Sequence, residues 1–158
     1  GMRILYMDPS PNETMDAMGA RRVEFEALLA GSDILSLHVP LTEGTRRLIG
    51  EKELGLMKQG AILVNTSRGS VVDEAALVRA LKSGRLGGAG LDVYEEEPRL
   101  HPELAGLPNT VLLPHIGSAS VETRTRMAMM AAENLVAGVR GERPPHCVNP
   151  EALETKKN

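Results

Sequence analysis

Ala61-Ile62-Leu63-Val64-Asn65-Thr66-Ser67-Arg68-Gly69-Ser70-Val71-Val72-Asp73-Glu74-Ala75-Ala76-Leu77-Val78-Arg79-Ala80-Leu81-Lys82-Ser83-Gly84 is the stretch on which the fold turns. Its first five residues are a short apolar run that ends in a polar loop, as a buried strand does. Asp73 has the chemistry of a helix N-cap, with Glu74 in the first turn where the helix dipole favours an anion. Leu77, Ala80 and Leu81 then share one helical face, and Gly84 stops the helix. A second apolar run, Gly88 to Val93, follows at once. Strand, helix and strand in that order read as a crossover between parallel strands.

Working outward, the same pattern repeats. Ile4 to Met7 ends at Asp8-Pro9, Asp33 to Val39 ends at Pro40, and Thr110 to Leu113 ends before Pro114; a weaker run covers Arg22 to Phe25. Each is short and bounded by Gly, Pro or polar residues, so the strands are expected to be buried on both faces. Helices are expected from Glu51 to Lys58, closed by Gly60, and from Ser118 or Ser120 to about Gly141. The second carries Met127, Met130, Ala131, Leu135 and Val139 as an apolar stripe. Residues 143–158 form a Pro-rich, then polar, tail that is expected to be ordered only where it docks.

The 158 residues fit one domain, with 18 Lys and Arg against 21 Asp and Glu, a formal net charge of −3. That mild acidity argues against a nucleic acid held by bulk charge. No apolar run is long enough to span a membrane, and the N-terminus lacks signal-peptide character. Cys147 is the single cysteine, so no internal disulfide is expected, and a reducing, cytoplasmic setting is the default. Aromatic residues make up 2%, so the core must come from Leu, Val, Ile, Met and Ala.

In parallel sheets, ligands bind beyond the carboxyl ends of the strands. That singles out Asp8, His38 to Pro40, Thr66 to Arg68, Asp92 to Glu97 and His115 to Gly117. Asp8 can accept hydrogen bonds from a ribose, favouring NAD over NADP, or simply open a turn with Pro9. Arg68 can hold a carboxylate through two parallel hydrogen bonds, or lie in a surface turn. Of Glu95, Glu96 and Glu97, a functional reading needs one carboxylate set against a cation. His115 can exchange protons near neutral pH, or merely cap the following helix. His38 has the same ambiguity, and His101 and His146 receive no role. No residues have metal-ligand spacing.

These segments together resemble the nucleotide-binding domain of the D-isomer-specific 2-hydroxyacid dehydrogenases, the family of phosphoglycerate dehydrogenase and glyoxylate/hydroxypyruvate reductase. The matching stretches are Leu5 to Pro9, Leu37 to Thr42, Asn65 to Asp73, Leu91 to Pro98, and Pro114 to Ser118. The resemblance implies a Rossmann-like doubly wound parallel α/β sheet. Residues 1–142 would be a partial NAD-binding domain and 143–158 a tail. It implies a catalytic set of Arg68 from N-x-x-R-G, Glu97 before the Pro of D-V-x-x-x-E-P, and His115 of P-H-I-G. It further implies Asp8 at the adenosine ribose, and His38, Val39, Pro40, Thr45, Thr66, Ser67, Arg68, Asp92, His115 and Gly117 along an NAD cofactor.

The implied activity is oxidation of a D-2-hydroxy acid with NAD, or reduction of the 2-keto acid in reverse. Formate dehydrogenases within the group would carry an amide at Glu97, so a carboxylate favours hydroxyacid chemistry. Against the family pattern, the chain is expected to open at the second strand, without the Gly-rich first strand–helix unit or the substrate domain. Gly88-Ala89-Gly90 does not replace that unit, because it lies before a strand ends. In the order 3-2-1-4-5-6, losing strand 1 separates strands 2 and 3 from the rest and opens two edges. The edges are expected to be paired by another copy, in a homodimer or other homo-oligomer, or closed by a shifted pairing, and the alternative function is a non-catalytic module that self-associates or binds a protein.

Overall fold

The computed structural model describes residues 1–154; positions 155–158, the end of the expected tail, lie outside the described residues. The strands are β1 (Leu5–Tyr6), β2 (Arg21–Arg22), β3 (Ile34–Leu37), β4 (Ala61–Asn65), β5 (Leu86–Leu91) and β6 (Thr110–Leu112). The helices are α1 (Glu13–Ala17), α2 (Phe25–Gly31), α3 (Glu51–Leu56), α4 (Glu74–Lys82), α5 (Val121–Val139) and α6 (Glu151–Glu154). The chain divides into two compact units, Gly1–His115 and Ile116–Asn158.

The first unit is an α/β structure in which all strand pairs are parallel. Its strands form two sheets: a pair, β1-β2, and a set of four in the order β3-β4-β5-β6. A separate pair is expected for the order 3-2-1-4-5-6 without strand 1, but that order leaves three strands in the second set, where the structure has four. Register aligns Leu37 with Asn65, Asn65 with Leu91, and Leu91 with Leu112. The carboxyl ends of the four strands therefore open on one edge of the sheet.

The helix ends follow local chemistry. The Asp73 carboxylate accepts the Ala76 amide at 2.9 Å and starts α4. Gly84 lies at φ +68° just past its end, in a region where a Cβ is disfavoured. Leu77 and Leu81 of α4 and Leu54 of α3 bury against Leu35, Leu37, Leu63, Leu86 and Leu91 of the sheet.

Two expectations need correction. The strands are not buried on both faces: β3 and β4 alternate between exposed and buried positions, and Val111 of β6 is 63% exposed. Within the first unit, α3 and α4 pack on the face that carries Leu35, Leu63 and Leu91. The opposite face presents Ile34, Ile62 and Val111. A continuous apolar run thus concealed an alternating one. The weak strand at residues 22–25 is also shifted to Arg21–Arg22. Phe25, Leu28 and Leu29 have helical spacing, and Phe25 opens α2 with Leu29 fully buried.

In the second unit, Ser120 accepts the Thr123 amide at 3.1 Å and caps α5. The expected stripe is largely on the surface. Met127 and Leu135 are exposed and Val139 is 81% exposed, whereas the buried position is Ala137. Tail residue His146 reaches back to α5, its amide donating to the Asn134 side chain at 2.9 Å.

Candidate active site

Asn65 ends β4 and is 1% exposed. Its side-chain oxygen accepts the Ser67 amide at 3.0 Å and the Ser67 hydroxyl at 2.9 Å, and its amide nitrogen donates to the Arg68 carbonyl at 3.0 Å. A short polar side chain that bonds its own loop in this way builds a tight turn. The turn delivers Arg68 to the sheet edge, exposed, with its guanidinium donating to the Ser67 carbonyl at 2.7 Å.

Beyond β5, Asp92 and Val93 are buried and Tyr94 turns the chain. The Tyr94 hydroxyl donates to the Leu113 carbonyl at 2.7 Å, and its amide donates to Glu97 Oε1 at 3.0 Å. Glu97 Oε2 pairs with His115 Nδ1 at 2.7 Å. His115 has φ +55°, an uncommon conformation for a side-chain-bearing residue, and it lies just beyond β6. The Glu97–Pro98 peptide is cis.

The electrostatics follow from these contacts. The hydrogen bond with His115 holds the Glu97 carboxyl below its ordinary range; partial burial opposes this, and the Tyr94 amide and the charges of His115 and Arg68 add to it. The three neighbouring carboxylates have different partners. Glu95 pairs with Arg47 at 2.7 Å and Glu96 with Arg99 at 3.3 Å, while Glu97 meets the histidine.

The remaining expected site residues divide by location. His38, Val39, Pro40, Thr66, Ser67 and Arg68 line one cleft of about 540 Å³ beyond β3 and β4. The His38 ring bonds the Ser36 hydroxyl at 2.8 Å. Thr45 donates to the Pro40 carbonyl at 2.6 Å, so its hydroxyl shapes the loop bearing His38 to Pro40. Asp8 follows β1 of the separate pair; its carboxylate accepts the Ser10 amide at 2.9 Å, as in a turn, and Arg22 grips its carbonyl at 2.8 Å. Gly117 belongs to the second unit.

Residues 1–117 match the family model described as "D-isomer specific 2-hydroxyacid dehydrogenase, NAD binding domain". The chain belongs to this family. It is 55% identical over 154 residues to the glyoxylate reductase of Thermococcus litoralis, covering 97% of this chain and 46% of that protein. The crystal structure of the TT0316 protein from Thermus thermophilus is 49% identical with a TM-score of 0.86, covering 94% of this chain and 46% of that one. D-lactate dehydrogenase from Lactobacillus jensenii, solved with NAD+, is 30% identical with a TM-score of 0.82, covering 92% and 48%. The chain thus spans about half the length of the relatives it matches.

Three contributors were not singled out from the sequence for this site. Tyr94 occupies an unspecified position of D-V-x-x-x-E-P, although a tyrosine between a buried strand and a polar loop is a ready anchor. Glu74 reads only as a first-turn acid. Arg47, which bridges Glu95 at 2.7 Å and Asp73 at 3.9 Å, stands in a loop without a motif.

Proposed function

We propose that the chain is the nucleotide-binding part of an NAD-dependent oxidoreductase that interconverts a D-2-hydroxy acid and its 2-keto acid, with glyoxylate or a close relative as substrate. The observation that supports this is the 2.7 Å pair between Glu97 and His115, with Arg68 in the turn that follows β4 of the same sheet.

The cleft fits an extended nucleotide, because its walls are two loops at the carboxyl ends of adjacent parallel strands. His38 to Pro40, Thr66 and Ser67 would line the bound NAD, with Thr45 bracing the first loop. Asp8 would accept its adenosine ribose hydroxyls, and Asp92 would lie toward its nicotinamide end. NAD, when bound, supplies the hydride acceptor. His115 uses Nδ1 on Glu97, which leaves Nε2 to exchange a proton with the substrate oxygen. The Glu97 carboxylate would fix the orientation of the ring from which the proton is donated in the reductive direction. Arg68 would hold the substrate carboxylate and present one face of the carbonyl.

The same proposal includes a homodimer or other homo-oligomer, supported by the exposed Val121, Leu135 and Val139 of α5, and a cytoplasmic setting, supported by the single cysteine. Among the described residues, no helix is long and apolar enough to cross a membrane.

The test fuses the N-terminal half of the Thermococcus litoralis relative to this chain and follows NADH oxidation with glyoxylate, hydroxypyruvate and phosphohydroxypyruvate. Oxidation that depends on one of these keto acids is expected. A folded fusion that binds NADH and turns over none of them favours the non-catalytic alternative.

A further inference from the structure

Glu74 is a carboxyl in the first turn of α4 that is only 6% exposed. Burial of such a group needs compensating hydrogen bonds. Its Oε1 accepts the backbone amide of Glu95 at 2.5 Å. Burial is the main influence on its carboxyl and raises its pKa. The Glu95 charge adds to this, while the amides of Glu95 and His101 and the charge of His101 oppose it. The acid is thus spent on the backbone of the loop that carries Glu97.

That loop is fixed at one peptide. Tyr94 gives its amide to Glu97 Oε1 and its hydroxyl to Leu113, two residues before His115. The next amide, that of Glu95, goes to Glu74. A Cβ at Gly69 would fall 1.8 Å from the Tyr94 carbonyl carbon, so the same peptide rests directly on the turn after Arg68. Arg47 holds the Glu95 side chain from outside.

From this chain of contacts we propose that Glu74 is a positioning residue for the Glu97–His115 pair, acting through the Tyr94–Glu95 backbone. It touches neither member of the pair. It sets the height of the peptide whose preceding amide orients the Glu97 carboxylate, and so links the packing of α4 to the proton-handling end of the site. The inference rests on the function proposed above, in which that pair handles the proton.

The test is carboxyl and amide NMR on the chain as it stands. In the unaltered chain, Glu97 is expected to titrate below the ordinary carboxylate range. Glu74→Ala is expected to move that titration upward. Glu74→Gln, which keeps an acceptor oxygen, is expected to leave it low. Asp33, held low by Lys58 elsewhere in the fold, is the control and remains low in both variants. A Glu97 titration unchanged in Glu74→Ala overturns the positioning role while leaving the pair intact. An unaltered chain whose Glu97 titrates normally removes the pair itself, and the proposed function with it. If Glu74→Ala does not fold, amide exchange in the unaltered chain decides. Glu95 is expected to exchange roughly fivefold or more slower than an open amide, and exchange at the open rate overturns the proposal.

Discussion

The two sheets of the first unit are made of similar short strands, yet they reach different ends. The four-stranded sheet buries Leu35, Leu37, Leu63 and Leu91 against α3 and α4, and its carboxyl edge carries Arg68, Glu97 and His115. The β1-β2 pair is two residues long on each strand, with Arg21 and Arg22 exposed and Tyr6 as its buried residue. Both sheets present edges where a further parallel strand can pair. The difference teaches that strand-forming composition sets where strands occur, while neighbours set which of them contribute a core.

This contrast can be broken most sharply by truncating one leucine in each sheet. Leu63→Ala is expected to cost about 2–5 kcal/mol, because the side chain is fully buried between strands and helices. Leu5→Ala, in the partly buried strand of the pair, is expected to cost about 1 kcal/mol or less. Urea midpoints at constant slope measure both. Equal losses would mean that the pair belongs to the same cooperative core.

A smaller effect sharpens the comparison at the site edge. Gly69→Ala forces a Cβ into the Tyr94 backbone, so about 2 kcal/mol of stability is expected to be lost, together with the Glu97–His115 contact. The same substitution at Gly55, where a Cβ meets nothing within 4 Å, provides the control in the same denaturation experiment.

The smallest expected effects are those of pH. Glu97 titrates below its unfolded value, so its contribution to stability is present above the ordinary carboxylate range and lost as pH falls through its folded value. Glu74 is displaced upward, so its contribution is present below that range and fades as pH rises through its folded value. Stability measured against pH in Glu97→Gln and Glu74→Gln is expected to lose these two slopes, which have opposite sign.

Much of this was legible because local chemistry and tertiary fate agree. Asp73 caps the helix it was expected to cap, Ser120 rather than Ser118 caps α5, and the run Ala61 to Asn65 is a strand at those bounds. The separation of a two-stranded pair also followed from the strand order that the family resemblance implies, whereas the fourth strand of the larger sheet did not. The buried-on-both-faces expectation failed because apolar residues such as Ile34 and Ile62 look alike whether or not a helix covers them. Helix α2 was missed because Arg22 to Phe25 is too short for its period to show, and the pattern declares itself only at Leu28 and Leu29. At the site, the motif singled out Glu97 among three adjacent acids, but Glu74 and Tyr94 act through backbone atoms, which leave no pattern in side-chain identity.

The most direct measurement is the turnover of the fused enzyme with His115→Gln, alongside NADH binding. A rate lower by about 10²–10⁴-fold is expected with cofactor affinity nearly unchanged, because a proton donor is lost and the cleft at His38 to Arg68 is not touched. Turnover within roughly twofold of the unaltered fusion, far short of a general acid's contribution, would contradict it.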